Sequence, residues 1–395
     1  MNNWQKVKIK DITDKIVDNR GKTPKNNAEC GIPLLEVNAL SETKKTPTYE
    51  VVRKYVDSET YNNAFRSGHP QKGDILIPTV GTIGNVCIAD HRQCCIAQNV
   101  IGLRTNKDLC EPEYLYYTLK DKTTQRRLLN LDIGGVQPSI KVPHLLNLEI
   151  LLPDIFTQQR IARILSSLDD KIELNAQINH NLEEQLYALY ASNYDNLSGK
   201  KVPLKECCSF QEGYVNPTQT KPEYFDGSVK WLRAVDINES FIISTSRTLT
   251  EQGFASAGKS ALLFPKDSIA ISKSGTIGRL GIVADNMCGN RAVINIVPKQ
   301  KKWLAFIYCY LKSRQAEFSD LAVGSVQKNL YVSILEPLEI FSPADSVLND
   351  FHFSAQTILE KMKNNCFEMQ SLAQLRDALL PKLMSGEIDV SEVEV

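Results

Sequence analysis

The sequence predicts an α+β protein with two mixed α/β, β-rich globular domains that are related by a pseudo-twofold axis and separated by two long antiparallel coiled-coil helices. Three observations predict this fold class. The chain repeats itself at about half its length, short β-type segments bounded by Gly, Pro and Asn occur in both copies, and each copy ends in a heptad pattern. The predicted globular domains are 1–153 and 196–343, and the predicted helices are 154–195 and 344–395.

The repeat is clearest around a Gly-Thr-Ile-Gly motif. Residues 74–84 are DILIPTVGTIG, and residues 267–278 are DSIAISKSGTIG. A further match links Val7–Ile12 with Val202–Cys207, and the offsets lie between 190 and 197 residues in a chain of 395. Such a long period indicates a duplicated domain rather than a short solenoid repeat. A pseudo-twofold molecule suits a partner that is itself roughly twofold, and duplex DNA is the obvious candidate.

Apolar residues in the two helical segments step by four and three residues, which is the spacing of a coiled-coil seam. Asparagines lie in the middle of each seam, where a buried amide lowers stability but fixes register. Because a twofold axis would make the helices antiparallel, Asn365 is expected to lie near Asn175. Ser342 and Pro343 are predicted to cap the start of the second helix, and Gly386 to end it. The predicted seam residues are Ile161, Leu165, Leu168, Ile172, Asn175, Asn179, Leu182, Leu186, Leu189, Leu348, Phe351, Ile358, Met362, Asn365, Met369 and Leu372.

The formal net charge is zero, but the charges are unevenly distributed. Residues 1–153 carry 21 basic and 17 acidic side chains, and residues 196–343 carry 18 and 13. The helical segments are acidic, with 3 basic and 7 acidic side chains in 154–195 and 4 and 9 in 344–395. Basic globular domains give a local positive field at which an anionic partner such as DNA could dock.

The cysteines and the apolar segments indicate where the protein resides. The ten cysteines include no C-x-x-C pair, and five scattered histidines show no metal-ligand spacing, so reduced thiols and no metal site are expected. The N-terminus lacks the apolar core of a signal peptide, and the longest apolar run, Trp303–Leu311, is too short for a membrane span. We therefore expect a soluble cytoplasmic protein.

These features together resemble the specificity subunit of Type I restriction–modification systems. The resemblance rests on the two Gly-Thr-Ile-Gly motifs, on LPDIFTQQRIARILSSLDDKI at 152–172 and on LRDALLPKLMSG at 375–386. It covers the whole chain in the right order. The second copy departs from the family pattern, because SPADSVL at 342–348 lacks the Gln-x-x-Ile-Ala core present at 158–162.

The resemblance implies two target-recognition domains, no catalytic residues and no cofactor in this chain. It implies that the partners are double-stranded DNA, two modification (methyltransferase) subunits and restriction subunits, and that S-adenosylmethionine, ATP and Mg would belong to those partner subunits. The residues agree independently, because the sequence contains no Asn/Asp-Pro-Pro-Tyr/Phe methyltransferase motif and no Walker A motif. Two other hypotheses remain open, a stand-alone DNA-modifying enzyme and a coiled-coil interaction protein without DNA specificity.

The candidate DNA contacts are of two kinds, residues that both copies of the repeat share and residues that differ between the copies. The Gly-Thr-Ile-Gly motif could bind phosphate or could form a tight turn in the domain core, and Gln137 and Gln327 could shape loops. Since both copies share these features, base contacts are expected where the copies differ. The predicted DNA-binding residues are Arg20, Lys22, Lys25, Lys44, Lys45, Arg53, Lys54, Arg66, Thr82, Gln98, Asn99, Gln219, Lys221, Arg233, Lys259, Lys273, Ser274, Thr276, Arg279, Asn290 and Arg291.

The helix length predicts the form of the DNA target. A seam of about 28 steps spans roughly 42 Å, or about 12 base pairs. Two half-sites at that spacing leave a non-specific gap of roughly five to eight pairs. Because the two domains have diverged, we expect an asymmetric bipartite target.

Overall fold

In the computed structural model the chain forms two compact units, Met1–Lys171 with Leu372–Val395 and Ile172–Ser371. The structure describes residues 4–21, 24, 29–134, 137–194, 200–238, 240–324 and 327–393. The boundary between the units falls within each of two 40-residue helices, so each unit combines one globular domain with a part of both helices.

The first unit contains three small sheets. Its described strands are β1 (Gln5–Lys8), β2 (Thr13–Asp18), β3 (Ile32–Leu35), β4 (Tyr55–Val56), β5 (Ile75–Pro78), β6 (Cys87–Ile88), β7 (Cys95–Ile96), β8 (Val100–Thr105) and β9 (Glu149–Leu152). The helices are α1 (Ser58–Ala64), α2 (Pro112–Lys120), α3 (Lys122–Leu129), α4 (Val142–Leu146) and α5 (Ile155–Tyr194), the last of which continues into the second unit. The strand orders are β2-β8-β5-β6, β4-β3-β7 and β1-β9.

The second unit repeats these elements. Its strands are β10 (Lys201–Pro203), β11 (Cys208–Glu212), β12 (Phe225–Leu232), β13 (Phe241–Ile242), β14 (Thr248–Leu249), β15 (Leu263–Phe264), β16 (Ile269–Ser272), β17 (Leu280–Val283), β18 (Met287–Gly289), β19 (Val293–Pro298) and β20 (Glu339–Phe341). Its helices are α6 (Glu251–Ala255), α7 (Trp303–Ser313), α8 (Phe318–Leu321), α9 (Val332–Leu335) and α10 (Asp345–Met384).

The sheet topology of the two units is the same apart from two additions. The order β11-β19-β16-β17-β13 corresponds to β2-β8-β5-β6, and β14-β12-β18-β15 corresponds to β4-β3-β7. The strands β13 and β15 extend the sheets of the second unit at their edges. Each unit also pairs its first strand with the strand that precedes the long helix. This shared topology confirms the predicted fold class, with a duplicated β-rich domain and long helices.

The core of each unit lies between a sheet and helices. The central strands β5 and β16 are buried along their whole length, as expected of apolar strands covered on both faces. Helix α2 packs its apolar face on one sheet and on the start of α5, and α7 packs on the other sheet and on the middle of both long helices. The side chains of Ile161 and Leu186 are fully buried in the two cores.

The long helices pair in antiparallel fashion within each unit. In the first unit, Arg376 Nη1 lies 2.7 Å from Asp169 Oδ1, and Arg160 Nε donates to the carbonyl of Val393 at 2.9 Å. In the second unit, residue numbers on the two helices also run in opposite directions along the pair. Every predicted seam residue is buried or half-buried. The heptad pattern therefore predicted the packed face of both helices.

Two local expectations about the helices were wrong. Asn365 donates from Nδ2 to Asn179 Oδ1 at 2.8 Å, whereas Asn175 donates to Glu368 at 2.9 Å. The heptad pattern gives the buried face but not the axial offset between two antiparallel helices, so the predicted partner was one turn away. Helix α10 begins at Asp345 rather than after Ser342, because the Ser342 amide donates to the carbonyl of Lys200 and prolongs the β10–β20 pairing.

Candidate nucleic-acid interface

The two Gly-Thr-Ile-Gly motifs form tight turns that join β5 to β6 and β16 to β17. The second glycine of each turn has positive φ, +102° at Gly84 and +87° at Gly278. A glutamine side chain fixes each turn, since Gln125 Nε2 donates to the Gly84 carbonyl at 2.8 Å and Gln315 Nε2 to the Gly278 carbonyl at 2.9 Å. The second glycine is therefore a packing requirement.

The exposed part of each turn lies beside a second shared segment. The amide of Gly81 donates to the carbonyl of Pro138 at 2.9 Å, and the amide of Leu330 donates to the carbonyl of Lys273 at 2.9 Å. Gln137 and Gln327 are exposed in the loops before α4 and α9, and residues 135–136 and 325–326 of those loops lie outside the described residues. The side chains of Thr82 and Thr276 are exposed as well, so their predicted phosphate contacts stay predictions.

A different set of loops forms what we call the first variable surface, defined by Glu36, Asn38, Lys54, Gln98 and Asn99. These residues line a cleft of about 360 Å³. The segment leaving β3, the segment entering β4 and the segment leaving β7 meet there because β3 lies between β4 and β7 in one sheet. Lys54 Nζ lies 2.7 Å from Glu36 Oε1, which cancels one positive and one negative charge within the cleft.

The corresponding loops of the second unit carry Arg233, Arg247, Asn290 and Arg291. Together with Gln219 of the β11–β12 loop, which is hydrogen-bonded to Arg247, these residues define the second variable surface. Two of its guanidinium groups lie over aromatic rings, Arg247 at 4.1 Å from the centroid of Phe225 and Arg233 at 5.8 Å from that of Trp231. The indole of Trp231 is buried and donates to the carbonyl of Val215 at 2.7 Å. The two rings therefore support the guanidinium groups through cation–π contacts.

Hydrogen bonds orient both of these arginines further. Arg247 Nη1 donates to Gln219 Oε1 at 2.7 Å. Arg233 Nη2 donates to the hydroxyl of Ser246, which is itself hydrogen-bonded to Asp236. An arginine held in this way loses little side-chain entropy when it binds a ligand.

Several predicted DNA-binding residues are instead engaged within the protein. Arg20 forms an ion pair with Asp18 at 2.6 Å. Burial raises the pKa of Asp18, but the hydrogen bonds and the charge of Arg20 outweigh the effect of burial and hold that pKa below its ordinary value. Lys45 Nζ lies 2.6 Å from Glu113 Oε1, and Lys273 Nζ lies 3.2 Å from Glu212 Oε1.

The remaining predicted residues are mostly at the surface. Arg279 follows the second Gly-Thr-Ile-Gly turn and donates to Asn238 Oδ1 at 3.0 Å, and Ser274 is half-buried. Lys22 and Lys25 lie outside the described residues. The exposed members are Lys44, Arg53, Arg66, Lys221 and Lys259. None of these observations tests DNA binding, so the set stays a prediction.

Sequence reasoning missed three residues of the variable surfaces, Glu36, Asn38 and Arg247. The predicted set consists of basic, amide and hydroxyl side chains and contains no carboxylate. Arg247 occupies the position of Lys54, which is among the predicted DNA-binding residues, but this correspondence follows from the strand register and not from the sequence. Each precedes a short strand and its carbonyl accepts a hydrogen bond from the facing strand, at Leu34 and at Trp231.

Three comparisons with known proteins agree. A family model described as the Type I restriction modification DNA specificity domain matches residues 1–184 and 199–367. The HindI specificity subunit of Haemophilus influenzae is 24% identical over 401 residues, covering 80% of this chain and 87% of that protein. The MjaIX specificity subunit of Methanocaldococcus jannaschii is 29% identical over 349 residues, covering 82% and 79%. The crystal structure of a Type I S subunit from M. genitalium has a TM-score of 0.59 at 18% identity, covering 97% and 96%.

Within the part of the chain that the structure describes, no cluster of His, Cys, Asp and Glu side chains could hold a metal ion. The described helices also include none with the length and apolarity needed to cross a membrane. Eight of the ten cysteines lie in the globular domains with buried side chains, and burial raises the pKa of the thiols of Cys87 and Cys207 to about 11. These two thiols therefore stay protonated and weakly nucleophilic near neutral pH.

Proposed function

Because this chain belongs to the Type I restriction–modification DNA specificity family, we propose that it binds an asymmetric bipartite DNA target and scaffolds the methyltransferase and restriction subunits of a Type I complex. The observation that carries the proposal is the pair of variable surfaces. Each is built at the same place on the same sheet topology, yet the two differ in charge and in hydrogen-bonding groups. Two unlike surfaces on one repeated framework fit two unlike half-sites.

The chain itself would catalyse neither methylation nor cleavage. S-adenosylmethionine, ATP and Mg would be bound by the partner subunits. The absence of methyltransferase and Walker A motifs from the sequence supports the assignment of both activities to the partner subunits. The long helices carry exposed acidic side chains. The partner subunits would dock on these helices and leave the basic globular domains free to bind DNA.

The decisive experiment presents the purified chain, with and without its methyltransferase subunits, to a random pool of duplex DNA and sequences what is bound. We expect the complex to select two different short half-sites separated by a fixed non-specific gap. Sequencing of methylated bases in a host that carries the system should return the same motif. A palindromic or uninterrupted motif would contradict the bipartite proposal, and methylation by the isolated chain would contradict its non-catalytic role.

The gap should depend on the length of the helices. A heptad inserted between Leu168 and Leu182, matched by a heptad in the facing stretch of α10, lengthens both helices by about 10 Å without changing their buried faces. The selected half-sites should then keep their bases while the gap changes. A matched control inserts the heptad in one helix only, which should prevent proper pairing and abolish selection. An unchanged gap in the matched variant would show that helix length does not set the spacing.

A further inference from the structure

The variable surfaces can be compared residue by residue, because the strands beneath them share one register. In the first unit, Leu34 and Leu35 of β3 face Cys95 and Ile96 of β7 in parallel pairing. In the second, Trp231 and Leu232 of β12 face Cys288 and Gly289 of β18 in the same way. The antiparallel partners match too, since Pro33 pairs with Tyr55 and Lys230 with Thr248.

This register makes three positions of the variable surfaces equivalent. The residue after β3 is Glu36 and the residue after β12 is Arg233. The residue before β4 is Lys54 and the residue before β14 is Arg247. The last paired residues of β7 and β18 are Ile96 and Gly289, and the second residue after them is Gln98 in one unit and Arg291 in the other. The three equivalent pairs are thus Glu36 with Arg233, Lys54 with Arg247 and Gln98 with Arg291.

The substitutions change the hydrogen-bonding chemistry as well as the charge. The three positions sum to zero in the first unit, where Glu36 is paired with Lys54, and to three positive charges in the second, where Asp236 lies 3.7 Å from Arg233 Nε. A guanidinium offers only donors, in a planar fork that matches guanine O6 and N7 in the major groove. A carboxylate accepts, and a glutamine amide pairs with adenine N6 and N7; both suit an exocyclic amino group.

From this we propose that the second variable surface recognises guanine through Arg233 and Arg247, and that the first variable surface recognises an exocyclic amino group, of adenine or cytosine, through Glu36 and Gln98. The inference rests on the proposed function, because it assigns base types to the two half-sites of that target. The ring contacts and the Gln219 and Ser246 hydrogen bonds keep the two guanidinium groups in place before DNA arrives.

The test uses the full chain with its methyltransferase subunits and the random duplex pool. Arg233→Lys and Arg247→Lys retain the positive charge but lose the bidentate fork. Each should relax the preference for one guanine by about tenfold to one-hundredfold, while the dependence of affinity on salt concentration stays as in the parent. Glu36→Gln and Gln98→Ala should alter an adenine or cytosine in the other half-site. Arg127→Lys, on the exposed face of α3, is the matched control and should leave the motif unchanged.

Each outcome decides between interpretations. The assignment is overturned if the half-site altered by the Arg233 and Arg247 variants contains no guanine. It is also overturned if both lysine variants keep the parental preference at every position. In either case the bipartite function stands. If Arg233→Ala weakens binding equally for all sequences and reduces the salt dependence, Arg233 binds phosphate and the assignment is also overturned. A parent complex that selects no sequence at all would overturn the proposed function and the inference together. Thermal unfolding of the lysine variants, which keep the stacking cation, separates loss of recognition from loss of fold.

Discussion

The first and second units share a framework but differ at one edge of it. The strand pairings, the tight turn with its second glycine and the glutamine that fixes this turn occur in both. At the variable surfaces the same backbone positions carry a Glu36–Lys54 ion pair in one unit and a pair of stacked arginines in the other. Positions that hold the domain together have therefore been retained since duplication, while positions that face outward from the loops have changed.

The two units also differ in the polar contacts that join their long helices. In the first unit the long helices are joined by the ion pair between Arg376 and Asp169, and Tyr117 donates to the same carboxylate at 2.7 Å. Burial, with Asp169 beside the phenol, holds the pKa of Tyr117 well above its ordinary value, so its hydroxyl remains a donor. In the second unit an amide pair, Asn179 with Asn365, joins the two long helices. Both devices are polar groups in an apolar seam and fix how the helices align.

The largest effect is expected from a change in the shared framework. Gly278→Val adds a β-branched side chain at φ +87°, where a Cβ atom would lie 3.1 Å from Phe318 Cβ and 3.3 Å from the Gln315 carbonyl. Backbone strain and overpacking together should lower the free energy of unfolding by about 4 kcal/mol. Chemical denaturation followed by circular dichroism measures this change.

The first glycine of the same turn supplies the control. Gly275 has φ +76°, and a Cβ atom added there would have no neighbour within 4 Å, so Gly275→Ala should cost only about 1 kcal/mol of backbone strain. Equal losses for Gly278→Val and Gly275→Ala would show that the buried contact of the second glycine does not matter, and that the turn is retained for another reason.

The next effect concerns the helix pair of the first unit. Arg376→Leu removes the guanidinium partner of the Asp169 carboxylate, whose side chain is 12% exposed, and should lower the free energy of unfolding by about 2–3 kcal/mol. Lys382→Leu removes a pair with Glu387 in which both side chains are more than half exposed, and should cost less than about 0.5 kcal/mol. Thermal unfolding of the two variants compares them, and similar losses would contradict a special role for Arg376.

The sequence was sufficient to predict the framework because the framework is built from periodic signals. Buried strands, glycine turns and heptads each leave a pattern that duplication preserved, as the two Gly-Thr-Ile-Gly motifs show. The variable surfaces leave no such pattern. The offset between the copies is 197 residues at Leu34 and Trp231 but 193 at Cys95 and Cys288, because the intervening loops differ in length. Only the strand register shows that Arg247 corresponds to Lys54.

The candidate site was less predictable because charge alone does not say where a side chain points. Lys45 is a basic residue in a predicted loop, yet its ammonium group contacts Glu113 and its side chain is only 17% exposed. Glu36 is acidic and is not among the predicted DNA-binding residues, although it lines the first variable surface beside Gln98. A carboxylate can accept a hydrogen bond from a base as well as an amide can, so base contacts are not confined to basic and amide residues.

A smaller effect is expected at the amide pair of the second unit. Asn365→Leu removes the donor to Asn179 Oδ1 and leaves that oxygen buried, which should cost about 1–2 kcal/mol. Adding Asn179→Leu removes that orphaned oxygen together with the Asn179 Nδ2 donor to the Met362 carbonyl at 3.0 Å, so the double variant should regain the loss and unfold at or above the parental temperature. A double variant less stable than Asn365→Leu alone would show that the amides contribute net stability rather than alignment.

The smallest effect is a pH dependence that should appear in the globular domain of the first unit and not in that of the second. His69 stacks on Tyr61 with ring centroids 3.5 Å apart, and its Nε2 donates to the Tyr61 carbonyl at 2.8 Å. Burial, with a smaller contribution from Lys15, lowers the pKa of His69 below 6.5, although the Tyr61 hydrogen bond partly opposes this. The unfolded chain therefore takes up the proton at higher pH than the folded chain, and stability is lost as the pH falls below 6.5.

The second globular domain, residues 196–343, contains no histidine and serves as the internal control. Between about pH 7.5 and 5.5, amide protection factors from hydrogen exchange should fall around α1 and stay constant around the equivalent helix α6. His69→Gln should abolish the difference between the two segments, because a glutamine does not titrate in this range. Two results would contradict the role of the His69 imidazole: equal losses of protection in α1 and α6, or a pH dependence that persists in His69→Gln. Either result would assign the effect to carboxylates common to both units.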